Sequence, residues 1–568
     1  MEKYDVVIIG SGLGGLQCAY ILSKHGMNVC VLEKNAQPGG CLQSFRRGRH
    51  TFDTGFHYVG GLDEGQPLHR LFDYFGLLDL PWHRMDENGF DEVVLHDKSY
   101  LLANGYERFA EMLSQQFPHQ RENLKRYTQF LEQVSAGIFN AFTGQSEEDV
   151  YGKSLFAQPA YDYLVSTIDD PLLRQVLSGS SLKMELNPQT LPLYTFAQIN
   201  SSYIQSAWRL RGGGSQIADV LIKRIEANGG TVRLNAEVTR LIEEDGKIVA
   251  AEINGSSPVV GNGYDKNQTA GNDVLSRPSL RGTKQSSSLI ITELQNNVMR
   301  GDYFISDIHP SATLSLITES KLVRNIYRKR INNLQNTFGM FTTHITWKEN
   351  TIPYQNRNMH VYETGDVWQY AVYNPENVNT CALVSYQPPQ PPQPPYNGVN
   401  NNQTAVNDSS TYPLPGGEGA ASCMDILTPM YPQEVEQWSK TRTGHRGDEY
   451  LSYKKQKAEA CIRFVSKHIP GLKNMVNPTD AIDNIHTSTS LTYRDYTGTP
   501  CGSAYGIRKN CKQLMTTLLS PRTPEPNLFL TGQNLNLHGV LGVSITSFLT
   551  CAEMIDMKEE VKKFTSSE

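Results

Sequence analysis

No stretch of about 18 apolar residues occurs in the chain, so no membrane-spanning helix is expected. The nine cysteines, at 18, 30, 41, 381, 423, 461, 501, 511 and 551, form no C-x-x-C pair. Neither a redox dithiol nor a zinc site is suggested, and no metal ligand set is assigned. An odd, scattered count fits a reducing compartment such as the cytoplasm. No long basic run is present and the net charge is −6, which argues against a nucleic-acid partner. The first expected strand starts within a few residues of Met1, leaving no room for a signal peptide. A peripheral membrane contact stays open. A chain of 568 residues should hold two or three domains around a large core.

What is present begins at once. Tyr4–Gly10 reads as a strand, Gly10-Ser-Gly-Leu-Gly-Gly15 as a tight turn opening a helix, and Val29–Leu32 as a second strand ending at Glu33. Gly10, Gly12 and Gly15 have the G-x-G-x-x-G spacing. Gly10 allows the sharp turn, Gly12 leaves room for a pyrophosphate, and Gly15 lets helix and sheet approach. The helix N-terminus turns free N–H groups toward the phosphates. Glu33 can accept from both ribose hydroxyls of a bound nucleotide. The alternative is an ordinary glycine-rich turn between strand and helix.

Two segments look like surface insertions. Gly255–Ser288 is rich in Asn, Gly, Ser and Thr, and Tyr386–Ser422 contains the proline run Gln387–Pro395. Both are expected to be flexible, and the proline run extended. Phe109–Val134 reads as one surface helix. Gln216–Asn228 reads as a helix with Ile217, Leu221 and Ile225 on one face. Gly229–Leu234, Glu237–Glu243, Lys247–Ile253 and Arg300–Asp307 read as strands, and His309-Pro310 as a turn. Nucleotide-binding elements thus come from the start, middle and end of the chain. The expected fold is α/β, with a discontinuous Rossmann-type nucleotide-binding domain (1–75, 205–310, 490–568) and a mixed sheet-plus-helices second domain (76–204, 311–489).

A second glycine cluster, Pro38-Gly39-Gly40-Cys41-Leu42, follows Glu33, and Phe52-Asp-Thr-Gly55-Phe-His57-Tyr58 follows that. A short nucleotide does not need it. An extended FAD does, because the chain must approach its phosphates and flavin again, and Gly39 and Gly40 offer backbone without side chains. Near the far end, Asn527–Gln533 reads as a short strand with a glycine turn, and Gly539–Ile545 opens an apolar helix. These motifs resemble the flavoprotein family of amine oxidases, phytoene desaturases and carotenoid isomerases. More narrowly, they are similar to its retinol saturase-like branch. The resemblance implies FAD contacts from Leu13, Gly14, Lys34, Cys41, Leu42, Gly55 and His57, and from Gly532, Gln533, Gly542 and Val543. It also implies an adenine contact from the backbone of Val238. The terminal helix would direct its positive end at the flavin pyrimidine edge.

The resemblance implies a redox enzyme acting on C=C bonds of a long apolar polyene. Saturation by reduced flavin leads, with desaturation or redox-neutral cis–trans isomerisation as alternatives. A non-redox chaperone of prenylated GTPases shares the fold, but does not need the intact fingerprint. His57 and His538 are the candidate proton donors; the alternative for each is a hydrogen bond to backbone or cofactor. Tyr194, Phe196, Tyr203 and Trp208 either line a substrate tunnel or pack in the core. Leu71–Trp82 reads as packing rather than a membrane-facing lip. No second G-x-G-x-x-G follows a strand, so any NAD(P)H would meet FAD at the substrate face.

Overall fold

The computed structural model describes residues 3–139 except 49 and 97, then 142, 153–254, 297–387 and 421–565. The expected insertion Gly255–Ser288 lies outside the described residues, as does most of Tyr386–Ser422. Tyr386 itself ends the strand Cys381–Tyr386, and Ala421 and Ser422 lead directly into Cys423–Met430.

One seven-stranded sheet runs in spatial order Thr231–Arg233, Val29–Leu32, Lys3–Ile9, Val298–Ser306, Lys247–Asn254, Glu237–Glu244. Leu528–Leu530 adds to the carboxyl half of Val298–Ser306, which pairs through its first half with Lys247–Asn254. The inner strands read Val-Val-Ile-Ile and Val-Cys-Val-Leu because both faces are covered by other elements, as parallel pairing requires. Five strands are mutually parallel, so their carboxyl ends share one edge of the sheet. Gly10, Glu33, Leu234, Asp307 and Thr531 follow those ends. In open α/β sheets that edge is where ligands bind.

Helix Leu13–Lys24 lies against the terminal helix Gly539–Cys551, tied by Gln17 Nε2 donating to Ser544 Oγ at 2.8 Å. Gly15 makes the helix-to-strand approach possible, since a Cβ there would sit 2.3 Å from the Gly10 carbonyl. Gly542 does the same at the far helix, where a Cβ would meet the Leu537 carbonyl at 2.4 Å. Gly542→Ala is therefore expected to cost about 1–3 kcal/mol of stability, measured by urea unfolding, because backbone must move to admit the methyl. Helix Ser215–Ala227 buries Ile217, Leu221 and Ile225, as their spacing suggests.

The second sheet is also seven-stranded: Ile482–Ser488, Gly339–Trp347, Cys423–Met430, Cys381–Tyr386, Asn358–Tyr362, Asp91–Leu95, Lys98–Leu102. Phe109–Val134 is not one helix. It is Tyr106–Gln116 and Arg121–Ala136, interrupted at Phe117-Pro118 because proline disfavours helical geometry in the residue before it. Leu71–Trp82 is packing: Leu71, Phe72 and Phe75 are buried on helix Pro67–Phe75. His309-Pro310 is not a turn: His309 caps helix Pro310–Leu316 through its side chain, and Pro310 opens that helix, where its missing N–H costs nothing.

Candidate active site

The carboxyl edge of the first sheet opens into a cleft of about 480 Å³ that reaches the second sheet. Its sheet end is lined by Gly10, Gly12, Leu13, Gly14, Glu33 and Lys34. Gly39, Gly40, Cys41, Leu42, Gly55 and His57 form the middle, with Val238 on one side. Gly532, Gln533, His538 and Val543 close it from the C-terminal segment. Gly15 and Gly542 do not line this cleft; they serve the close packing described above. Of the four candidate tunnel aromatics only Tyr203 lines it. Tyr194 and Phe196 are core, and Trp208 turns its Nε1–H to Asp63 at 3.0 Å.

Glu33 is buried and fixed. Ser11 donates to Oε2 through N–H at 3.1 Å and hydroxyl at 2.6 Å, and the Asn35 N–H donates to Oε1 at 2.8 Å. The glycine cradle faces a residue that has no motif of its own. A Cβ on Gly12 would come within 2.4 Å of Asp307 Oδ2, and one on Gly14 within 2.6 Å of Oδ1. The Gly12 and Gly15 amides donate to this carboxyl, so the cradle already presents its N–H groups to an anion-forming group. Burial pushes Asp307 up to about 7, with Glu33 adding repulsion.

The Phe52–Tyr58 motif divides its work. Phe52 is core. Asp53 accepts from Ser44 Oγ at 2.7 Å and from the Gly214 N–H at 2.7 Å, which pins the hairpin Ser44–Asp53 to the Gly212–Gly214 turn. His57 faces the cleft with a side chain only 8% exposed, and its Nδ1 lies 3.7 Å from buried Asp425 Oδ2. Neither ring nitrogen has a hydrogen-bond partner among the described residues. Burial lowers its pKa, so it is a neutral imidazole awaiting a polar partner. Asp425 also accepts from His344 at 2.7 Å and from Gln387 at 3.1 Å.

Tyr58 leads to a cluster that no motif announces. Its hydroxyl donates to Asp91 Oδ2 at 2.9 Å, while Asn358 donates to Oδ1 at 3.2 Å. Lys183 Nζ lies 3.4 Å from Asp91 Oδ2 and 4.2 Å from the centre of the Tyr203 ring. Burial works against the Asp91 carboxylate, yet Lys183 and His360 hold it down at about 2. The Lys183 side chain is 7% exposed and lines the cleft. Burial lowers its pKa despite the attraction of Asp91. Lys183 also fixes His538: its carbonyl can only accept, so the contact at 3.1 Å puts the proton on His538 Nε2. Burial brings His538 down to about 4, leaving a neutral ring without a proton to release near neutral pH. The sequence signal for Lys183 is weak, because Ser180–Met184 lies in a turn after helix Pro171–Gly179.

Residues 8–75 match the family model described as an NAD(P)-binding Rossmann-like domain. The chain is 25% identical to an all-trans-retinol 13,14-reductase of Danio rerio, over 98% of this chain and 86% of that one. A second Danio rerio relative, 24% identical over the same shares, is named an inactive all-trans-retinol 13,14-reductase. Prolycopene isomerase 1 of an Oncidium hybrid cultivar is 26% identical over 44% of this chain and 46% of its own. The fold matches cyclohexylamine oxidase of Brevibacterium oxydans with a TM-score of 0.53 at 12% identity, covering 97% and 99% of the two chains. The chain is thus similar in sequence to the all-trans-retinol 13,14-reductases over nearly its whole length and to a carotenoid isomerase over less than half of it, and it has the α/β fold seen in an amine oxidase.

Proposed function

We propose that this chain is an FAD-dependent oxidoreductase that saturates a C=C bond of a long apolar polyene of retinoid or carotenoid type. The observation that carries the reading is one continuous cleft. Its lining includes a glycine cradle for a pyrophosphate, the apolar side chains of Met340, Leu383 and Leu427, and Lys183. The orphaned nitrogens of His57 and the side-chain-free cradle at Gly12 and Gly14 fit an extended dinucleotide. Gly10–Gly14 would hold its pyrophosphate, Glu33 its ribose, and the Val238 backbone its adenine. Gly39–Leu42, Gly55, His57, Gly532, Gln533 and Val543 would hold the flavin portion. When bound and reduced, the flavin supplies hydride.

Lys183 supplies the matching proton. His57 and His538 are neutral rings, whereas Lys183 sits beside the Asp91 carboxylate at 3.4 Å, and burial lowers its pKa from the ordinary lysine value. Asp91 positions it, with Tyr58 and Asn358 completing the carboxylate's hydrogen bonds. The electron donor is read as NAD(P)H arriving from solvent. Redox-neutral isomerisation is the second reading, favoured by the prolycopene isomerase relative.

The purified protein is expected to be yellow. Under anaerobic conditions with a flavin reductant, retinol or a carotene should gain two hydrogens by mass. A loss of two hydrogens means desaturation, and unchanged mass with shifted retention means isomerisation. A colourless protein that cannot be reconstituted with FAD overturns the flavin reading. Flavin binding without reaction on any polyene overturns the substrate.

A further inference from the structure

A second cleft, of about 850 Å³, adjoins the first. It lies between hairpin Ser44–Asp53, the start of helix Gly447–Ser466, edge strand Ile482–Ser488 and helix Ser490–Thr497. Asn35, Gly40, Tyr493, Tyr496 and Thr497 line both clefts, so an occupant of one lies against the wall of the other. Nothing in the proposed handling of a polyene uses this space.

Its chemistry is unlike that of an apolar tunnel. Arg47, Arg446 and Lys454 line it, against Asp448 as the sole lining carboxylate. Arg446 is neutralised by Asp495, which lies outside the lining. Arg47 and Lys454 form no ion pair among the described residues. Each instead sits over an aromatic ring: Arg47 at 5.1 Å from the centre of Phe45, Lys454 at 5.6 Å from that of Tyr450. The half-buried Lys454 ammonium is lowered to about 8, by burial and by Arg446 beside it, so a bound anion would relieve it. His486 adds a buried Nε2 with no hydrogen-bond partner among the described residues, and Ser488, Thr487 and Thr492 add hydroxyls. Unneutralised cations, flat rings and hydroxyls together match a phosphorylated molecule with ring systems.

We infer that this cleft is the docking site of the reductant, a reduced nicotinamide dinucleotide. Its phosphates lie toward Arg47 and Lys454, and its nicotinamide lies at the boundary the two clefts share beside Gly40 and Tyr493, in direct contact with the flavin as hydride transfer requires. The inference rests on the flavin reading above. The transfer balances: the dihydronicotinamide loses a hydride and becomes the pyridinium, while the oxidised flavin gains that hydride.

The test uses the flavin-loaded full chain and the variant Arg47→Glu/Lys454→Glu, with NADPH and NADH as separate probes. Flavin reduction is followed anaerobically by loss of its visible absorbance, and nicotinamide binding by fluorescence titration. The expected result is at least tenfold weaker binding and slower flavin reduction by the nicotinamide in the variant. Reduction by dithionite, and reaction of dithionite-reduced enzyme with polyene, should be unchanged. NADPH and NADH rates assign the source. Equal nicotinamide kinetics in variant and wild type overturn the proposal, as does wild-type flavin that dithionite reduces and neither nicotinamide does. Impaired polyene reaction with intact nicotinamide reduction makes the cleft a polyene entrance instead. A chain that holds no flavin fails the earlier reading, not this one.

Discussion

Replacing Lys183 with methionine is expected to leave flavin bound and reducible while slowing polyene reduction by about 10²–10⁴-fold, the usual contribution of a positioned general acid. Methionine keeps the length and packing of the lysine stem and removes only the proton source. The readout is reoxidation of reduced flavin by polyene in the absence of oxygen, against reduction of the same flavin by dithionite. In the wild type that reoxidation should fall as pH rises through the lowered Lys183 pKa, because the neutral amine has no proton to give. The variant should lose this limb of the profile. Removing the ammonium leaves Asp91 buried with fewer partners, and breaking such a pair typically costs about 3–5 kcal/mol. Lys183→Met/Asp91→Asn removes that cost without restoring the proton. Stability that recovers while the rate stays low supports the assignment; a rate that recovers with stability makes Lys183 structural.

FAD affinity should fall as pH rises above the Asp307 pKa of about 7, and Asp307→Asn should abolish the dependence. The sign follows from charge. Below that pKa the cradle holds a neutral acid that an anionic pyrophosphate can approach; above it, a carboxylate competes for the same amides. Binding then takes up a proton. Each pH unit above the pKa corresponds to about tenfold in affinity, so the loss reaches about a hundredfold two units higher. Glu33, Cys41 and His309 face the same cleft, and Glu33 is already latched by Ser11 and Asn35. Fluorescence titration of the apoprotein with FAD across this range gives the slope. A flat wild-type profile, or a slope surviving in the asparagine variant, rules out Asp307 as its origin.

The parts of the site legible in the sequence are those where backbone geometry dictates residue type. Gly10, with φ of 94°, and Gly39, with φ of 108°, sit where other residues are strained, so spacing alone marks them. Glu33 is marked by its place at a strand end. Asp307, Lys183 and Asp91 are marked by nothing local. Each acquires its role from partners far away in the chain: Asp307 from the Gly12–Gly15 amides, Lys183 from Asp91 and Tyr203. The same distinction separates the histidines. His57 and His538 were placed at the cleft by motif, but their protonation is decided by burial and by a backbone carbonyl, which no motif encodes. The aromatic stretch failed for a related reason: helix Leu193–Gln205 turns Tyr194 and Phe196 into the core and leaves only Tyr203 at the cleft.

The two insertion points are not equivalent for the future of this chain. Glu252 pairs with Val298 on adjacent antiparallel strands, so the chain leaves and re-enters the sheet at neighbouring positions. That doorway opens at the start of Val298–Ser306, whereas the cleft lies beyond its end, about 30 Å away at the usual rise per residue. Adding flexible chain between such close anchors costs only the logarithm of its length. Evolution, or an engineer grafting a reporter domain, can therefore use this doorway without addressing the chemistry. The second doorway differs, because Gln387 at its rim holds Asp425, which neighbours His57. Cargo added there would tug on the site itself, which makes it the place to build a sensor.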